Sequence, residues 1–314
     1  MWYTIGEDVI NMIDFQPLTL VDREHCEQFL LDGTERGCEY SFANLYLWGR
    51  QRYAIVCDQL VLFSQFNRRT VYPFPAGSTD KKCALDALIA DAKERGIPCR
   101  ITGLNQDNIA YIEAEYPGMF RFHCDRDSYD YVYDIHDLAD LKGRKYQKKR
   151  NHYNRFRDNF PYYTVEALSP ENISAVTEIA ESWYTDRLRE DPQGDYHMER
   201  AALTKALAHY AALGMEGLVL RDGDQILAFT LGSPLSVNTF DIHFEKARQD
   251  IDGAYTVINC EFARYLRAKY PLLQFLNRED DLGLEGLRKA KLSYYPHHLV
   301  EKCWACLLED GYDY

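Results

Sequence analysis

The sequence predicts an α+β fold built from two similar halves, each a mixed sheet flanked by helices. Three observations predict it. The chain has 314 residues, about twice the roughly 150 residues of a typical domain. Its composition, 46% hydrophobic and 27% charged, is that of a globular protein and excludes disordered, collagenous and disulfide-scaffold classes. One order of elements (helix, adjacent strands joined by a tight turn, helix, strand) is read in both halves, and helices alternating with mixed strands leave a bundle or a sandwich aside. The boundary falls near Asn159 to Leu168, giving domains 1–158 and 159–314.

In the first half, periodicity places a helix around Asp22 to Leu31 and strands at Tyr53 to Cys57 and Leu60 to Gln65. A helix follows from about Asp80 to Arg95. Ser78 or Thr79 would cap its start, Ala84, Leu85, Leu88, Ile89 and Ala92 form its apolar stripe, and Gly96 with Pro98 ends it. Arg100 to Leu104 reads as a strand. In the second half, Ser169-Pro170-Glu171 opens a helix, and a second runs from about Glu199 to Leu213, closed by Gly214. Strands at Gly217 to Arg221 and Gln225 to Gly232 flank the turn Asp222-Gly223-Asp224. A strand from Thr239 to Glu245, a helix from about Gly253 to Lys269, a strand from Leu273 to Leu276, a helix near Leu284 to Leu292 and an apolar run from Val300 to Leu308 complete the chain.

Charge and cysteine usage narrow the class. Against 36 basic side chains stand 49 acidic ones, a net charge of −13, which disfavours a general nucleic-acid coat while leaving room for a local basic patch. The start MWYTIGEDVINMIDF has neither a basic leader nor a cleavage site, and no stretch reaches the roughly 18 apolar residues of a membrane span. A cytoplasmic protein is expected. Nine scattered cysteines read as reduced thiols, with Cys303 and Cys306 as apolar strand residues rather than zinc ligands or a redox pair.

The chemistry concentrates in the second half. Alternation along Thr239–Glu245 puts Asp241, His243 and Glu245 on one sheet face and Phe240, Ile242 and Phe244 on the other. Such a polar face either meets water or lines a cleft; in a cleft, His243 or Glu245 would take a proton from an attacking amine. The next segment, Lys246 to Tyr255, leads from strand into helix. With Arg248, Gln249, Gly253, Ala254 and Tyr255 at the junction, backbone N–H groups would cradle a pyrophosphate, although Asp250 and Asp252 would repel one. Asn277, Arg278 and the polar run to Pro296 follow a strand end, where α/β folds place ligand groups. Its four carboxylates alternate with cations and read as a salt-bridged helix start, so no metal is expected.

Between the halves, Lys142 to Arg157 carries eight cationic side chains, among them Lys145, Lys148, Lys149 and Arg150. As a helix it would form a cationic ridge for tRNA phosphates or anionic lipid headgroups, or else a solvated connector paired with the acidic remainder of the protein.

The strings NREDDLGLEGLRKAKLSYYP, HFEKARQDIDGAY followed by INCEF, YSFANLYLWG and LKGRKYQKKRNHYNRF resemble the soluble bacterial family related to the C-terminal domain of phosphatidylglycerol lysyltransferase, from about Gln16 to Lys302. The resemblance implies two tandem acyltransferase folds of the GNAT (acyl-CoA N-acyltransferase) type. It assigns Asp241 to Glu245 as the fourth strand with its acid/base groups, and Arg248 to Ala254 as a loop for the pyrophosphate of coenzyme A. Leu273 to Asn277 becomes the fifth strand, and Tyr294 or Tyr295 the acid for the leaving group. The usual phosphate loop is Gln or Arg, two residues, Gly, one residue, then Gly or Ala; here Gln249 and Gly253 stand one residue too far apart. Relatives that transfer amino acids take them from aminoacyl-tRNA. In the first half Gly77-Ser78-Thr79 precedes a helix with Lys81 and Lys82, but no phosphate loop is found. The expectation is an enzyme moving an acyl or aminoacyl group, from coenzyme A or tRNA, to an amine or hydroxyl by direct attack. Asp241, Lys145, Lys148, Lys149 and Arg150 would meet the acceptor or an anionic partner. The alternative of another class is a ligand-binding protein without turnover.

Overall fold

The computed structural model describes residues 12–66, 69–190 and 196–308; residues 1–11, on which the reading of the N-terminal leader rests, lie outside the described residues. Two compact units emerge. The first comprises residues 1–29, 49–125 and 301–314, the second residues 30–48 and 126–300.

The first unit holds a seven-stranded sheet in the order β1 (Gln16–Pro17), β2 (Arg50–Val56), β3 (Gln59–Phe66), β4 (Arg69–Pro73), β5 (Arg100–Leu104), β14 (Cys303–Leu307), β6 (Phe120–Cys124). Only β4 and β5 are parallel. Between these two strands runs α3 (Lys82–Arg95), and α4 (Gln106–Glu115) follows β5; α1 (Arg23–Leu30) lies earlier in the chain. The second unit repeats the plan with β8 (Thr164–Ala167), β9 (Glu216–Asp222), β10 (Gln225–Pro234), β11 (Thr239–Ala247), β12 (Phe275–Asn277), β7 (Asp130–Asp134) and β13 (His298–Val300), again with one parallel pair, β11 and β12. Its helices are α2 (Phe42–Leu47), α5 (Ile135–Asp140), α6 (Gln147–Asn159), α7 (Ile173–Glu190), α8 (His197–His209), α9 (Ala254–Lys269) and α10 (Glu285–Leu292).

The two sheets are the tandem the sequence predicts, with a division that the expected break at 158/159 misses. Each half sends its last strand into the sheet of the other. Thus β7 sits between β12 and β13, and β14 between β5 and β6.

The apolar stripe of α3 is buried at Ala84, Leu85, Leu88 and Ala92, and Gly96 closes the helix in the left-handed region. Its start differs from expectation: Lys81 is the cap residue and makes no side-chain cap, while Thr79 instead accepts from Gln59. Cysteine pairing also departs from the all-reduced reading. Returning β14 puts Cys303 directly opposite Cys124, and the two form a disulfide; a second joins Cys57 to Cys83. Cys26, Cys38, Cys99, Cys260 and Cys306 are buried and form no disulfide among the described residues. Among the described residues no helix is long and apolar enough to cross a membrane.

Candidate active site at the parting of two parallel strands

The parallel pairing of β11 and β12 covers three residue pairs and ends at Asp241 opposite Asn277, whereas β11 runs on to Ala247. Main-chain groups beyond that point leave the β11–β12 ladder, and the carboxyl ends of such strands are where α/β sheets bind ligands. A bulge shapes what stands there. Leu231 pairs with Phe244 and Gly232 with Ile242, so His243 is the extra residue, and the alternation of faces shifts by one. Phe240 and Ile242 pack with the α9 core, Glu245 reaches Asn259 of α9, and Phe244 lies on the opposite face against Trp48. Simple alternation misplaces Glu245: the bulge separates it from Asp241 and His243.

On the face away from α9 the groups are mainly acidic. The buried His243 shares a hydrogen bond at Nε2 with Ser233 Oγ (2.8 Å), and its Nδ1 lies 3.3 Å from Glu279 and 3.4 Å from Asp241. Asn277 donates to Asp130 (2.9 Å), as does the backbone N–H of Cys38 (2.6 Å). Asn44 donates to Glu279. Cys38, Asp241 and Glu279 offer ligand atoms within 4.8 Å of one another, a spacing fit for a cation, whether a metal or an ammonium. Glu279 has φ +56°, a left-handed conformation costing about 1–2 kcal/mol outside glycine. The side-chain oxygen of Asn277 holds it by accepting its N–H at 2.7 Å, as strained backbone at functional sites requires.

Cations gather on the α9 face. Arg278 donates to Glu245 at 2.8 Å, and Asn259 donates to the other Glu245 oxygen at 3.3 Å. The Lys149 ammonium lies 3.6 Å from the centre of the Tyr294 ring. Burial, reinforced by Arg278, pulls the Lys149 pKa down to about 8. Lys291, whose pKa burial also lowers, donates to the carbonyls of Arg278 and Glu279. Burial raises the Tyr294 pKa and keeps its phenol protonated; its hydroxyl lies 3.4 Å from Thr256. Three buried polar atoms around Glu245 have no hydrogen-bond partner among the described residues: Arg278 Nη1, Asn259 Oδ1 and Thr230 Oγ1, Thr230 being the cross-strand neighbour of Glu245. Native interiors rarely leave such atoms unpaired, so each marks a place for water or a ligand.

The expected phosphate loop is built otherwise. Gly253 has φ +88°, and a Cβ there would stand 2.4 Å from the carbonyl oxygen of His152 and 3.0 Å from Phe156 Cβ. Helix α6 therefore covers the start of α9, and glycine is needed for that packing. Asp252 pairs with His152 and Arg155, and Arg248 with Asp250. Gln249 and Tyr255 are exposed, and Ala254 is buried. The cradle that a coenzyme A pyrophosphate needs is filled by α6 and lined by carboxylates, so these residues do not fit that group.

The cationic segment is likewise partly spent within the chain. Lys142 pairs with Asp140 and Lys145 with Asp137, while Arg150 donates to the carbonyls of Leu141 and Gly143. Lys149 turns to the site. Lys148 is exposed on α6. Tyr295 is exposed and rests on Tyr146, apart from the Glu245 group, so Tyr294 is the tyrosine the fold brings there. Reading the sequence misses Ser233, Asp130, Asn259 and Lys291; a lone acid in the apolar run Asp130-Tyr131-Val132-Tyr133 was the one available signal.

Residues 33–306 match the family described as phosphatidylglycerol lysyltransferase, C-terminal. The chain belongs to that family. Its fold is shared with a conserved protein of unknown function from Bacteroides thetaiotaomicron, 40% identical, with a TM-score of 0.90 over 94% of this chain and all of that one. It is shared too with L-PGS from Bacillus licheniformis (18% identical, TM-score 0.65, 92% and 93% covered) and with FemX (11%, 0.60, 94% and 98%). A curated relative, an uncharacterised protein of Mycoplasmoides gallisepticum, is 26% identical over 178 residues. That match covers 56% of this chain, which spans about half the length of the relative (55%). Family membership covers both sheets, which share one strand order.

Proposed function

We propose that this member of the lysyltransferase family moves an aminoacyl group from aminoacyl-tRNA to a hydroxyl or amine acceptor at the parting of β11 and β12. The observation that carries the reading is the opposite polarity of the two faces of β11. Asp241, Glu279 and Asp130 stand on one side; Arg278, paired with Glu245, and Lys149 stand on the other. An aminoacyl ester of tRNA has the same polarity, an ammonium beside the ester carbonyl and a phosphodiester beyond the ribose. The acidic face suits the ammonium and the cationic face the phosphate.

In this reading the acceptor oxygen or nitrogen attacks the ester carbonyl and gives its proton to Glu245. The unpaired Arg278 N–H steadies the developing oxyanion. As the carbon–oxygen bond to the ribose breaks, the leaving oxygen takes the Tyr294 proton. His243, held between Ser233 and two carboxylates, positions the acidic face. Coenzyme A is the weaker donor because α6 occupies its phosphate cradle.

Thermal shift with aminoacyl-tRNA, uncharged tRNA and acetyl-coenzyme A tests the donor, since a ligand raises the melting temperature by mass action. Aminoacyl-tRNA should stabilise most, with an effect that weakens as salt rises. Stabilisation by acetyl-coenzyme A alone would overturn the proposal. Binding of aminoacyl-tRNA that Glu245→Gln leaves intact, with no deacylation under any acceptor, would favour the ligand-binding alternative.

A further inference from the structure

The two disulfides of the first unit differ in their surroundings. Cys124–Cys303 lies within the sheet: Cys303 is buried in β14 among apolar neighbours, and β14 is hydrogen-bonded to β5 on one side and β6 on the other. Cys57–Cys83 lies on the surface, with both residues exposed. Cys57 and Asp58 form the two-residue turn from β2 to β3, beyond the paired Val56 and Gln59. Both are left-handed, with φ +51° and +56°. Tight hairpins favour glycine and asparagine in that conformation, and backbone held there against its preference gathers at functional sites.

What brings the two sulfurs together does not depend on their bond alone. Gln59, next to the turn, donates to the Thr79 carbonyl at 3.1 Å, and Leu60 and Ala76 exchange backbone hydrogen bonds of 2.8 and 3.0 Å. These contacts hold the end of the hairpin on the loop before α3 when the bond opens, so closing it again is an intramolecular step. The two sulfurs are also unequal. Cys83 is the second residue of α3, where the partial positive charge of a helix start favours a thiolate, and Lys81 and Lys82 precede it. Of the acids near it in sequence, Asp86 pairs with Lys82 and Asp80 accepts from Tyr111. Cys57 lies in a turn beside the Asp58 carboxylate, a neighbour that disfavours a thiolate.

We infer that Cys57–Cys83 is a site of reversible thiol–disulfide exchange with a low-molecular-weight thiol, with Cys83 as the leaving thiolate. The small thiolate attacks Cys57 Sγ; a new sulfur–sulfur bond forms there as the Cys57–Cys83 bond breaks, and the electron pair leaves on Cys83. A second small thiolate attacks the outer sulfur of this mixed disulfide, releasing the small disulfide and the Cys57 thiolate, which takes a proton. Two small thiols are oxidised and one protein disulfide is reduced; the small disulfide, run through the same steps in reverse, recloses the bond. A thiol of lower pKa leaves faster. At Cys124–Cys303 the exposed residue is Cys124, so attack there drives Cys303 out as a thiolate into an apolar core, where burial disfavours the charge. The inference lies outside the transferase reading and needs neither donor nor acceptor, so the two fail separately.

Exposure of the oxidised, folded full chain to reduced glutathione, followed by acid quenching, alkylation and peptide mass spectrometry, tests it. Cys57–Cys83 should open about tenfold or more faster than Cys124–Cys303. The mixed disulfide should carry glutathione on Cys57, and glutathione disulfide should reclose the bond. Single substitutions read the inequality of the two sulfurs: iodoacetamide at pH 7 should alkylate Cys83 in Cys57→Ser about threefold or more faster than Cys57 in Cys83→Ser. Absence of a Cys57–Cys83 bond from the oxidised protein, opening no faster than at Cys124–Cys303, glutathione settled on Cys83, failure to reclose, or equal alkylation of the two thiols would each overturn the inference.

Discussion

The two sheets have one strand order and one pattern of directions, yet they treat the parting of the parallel pair in opposite ways. In the first unit, β4 meets β5 at Tyr72 and Pro73, and every residue from Tyr72 to Gly77 is buried. Pro73, Phe74, Pro75 and Ala76 fill the gap with groups that neither titrate nor donate from a side chain. Tyr72 is spoken for, donating at 2.7 Å to Asp91, which Arg95 holds. In the second unit the same place holds His243 and Glu245 on one strand, Arg278 and Glu279 after the other. Topology alone therefore does not make a site. One copy is closed with proline and phenylalanine, while the other keeps its charges at the strand ends.

Substitution at matching places breaks this contrast most sharply. Arg278→Met should lower the transfer rate by about 10²- to 10³-fold, the usual loss on removing an oxyanion donor, read on folded protein because the change also leaves the buried Glu245 carboxylate without its ion-pair partner and lowers the melting temperature. Tyr72→Phe in the first unit should leave the rate as it is and cost about 1 kcal/mol in denaturant unfolding for the lost hydrogen bond. Equal loss of rate in the two variants would mean that the first unit takes part in the chemistry.

Helix starts and ends give the next test. Gly253→Ala must place a Cβ against the His152 carbonyl in a left-handed backbone, so it should cost about 2–4 kcal/mol in urea unfolding. Gly96→Ala, also left-handed (φ +64°) but with nothing within 4 Å of the added carbon, should cost about 1 kcal/mol. Equal costs would show that α6 does not press on the start of α9.

Which of these features the sequence disclosed follows from the range of the interactions behind them. The stripe and end of α3, the strand positions of Thr239–Glu245 and the strings shared with the lysyltransferase family are local and were legible. The exchange of β7 and β14 was not, because no element is read at Asp130–Asp134, only an apolar run is read at Val300 to Leu308, and the strands that each pairs with lie far along the chain. The bulge at His243 adds one residue to a clean alternation without a glycine or proline of its own to announce it. Gly253 was read as room for a phosphate, since nothing near it in sequence shows that the carbonyl of His152 is what approaches. Ser78 and Thr79 look like caps until Gln59 claims Thr79.

The smallest effect concerns Lys149, and its sign separates an anion site from a merely buried lysine. The ordinary pKa of 10.5 falls to about 8 in the folded chain because burial disfavours the ammonium and Arg278 repels it. Below pH 8 the side chain is charged folded and unfolded alike, and the folded state bears the full cost of that charge. Between about 8 and 10.5 the unfolded chain holds a proton that the folded chain has released, so stability rises with pH through that window by this group. Lys149→Met should flatten the rise in a comparison of unfolding midpoints at pH 7.5 and 9.5. An anion bound beside Lys149 favours its charged form, so at pH 8 the binding of aminoacyl-tRNA should take up a fraction of a proton. Calorimetry in two buffers of different ionisation enthalpy reads that uptake directly, and Lys149→Met should abolish it. Uptake that persists in the variant would assign the proton to another group and remove Lys149 from the cationic face of the site.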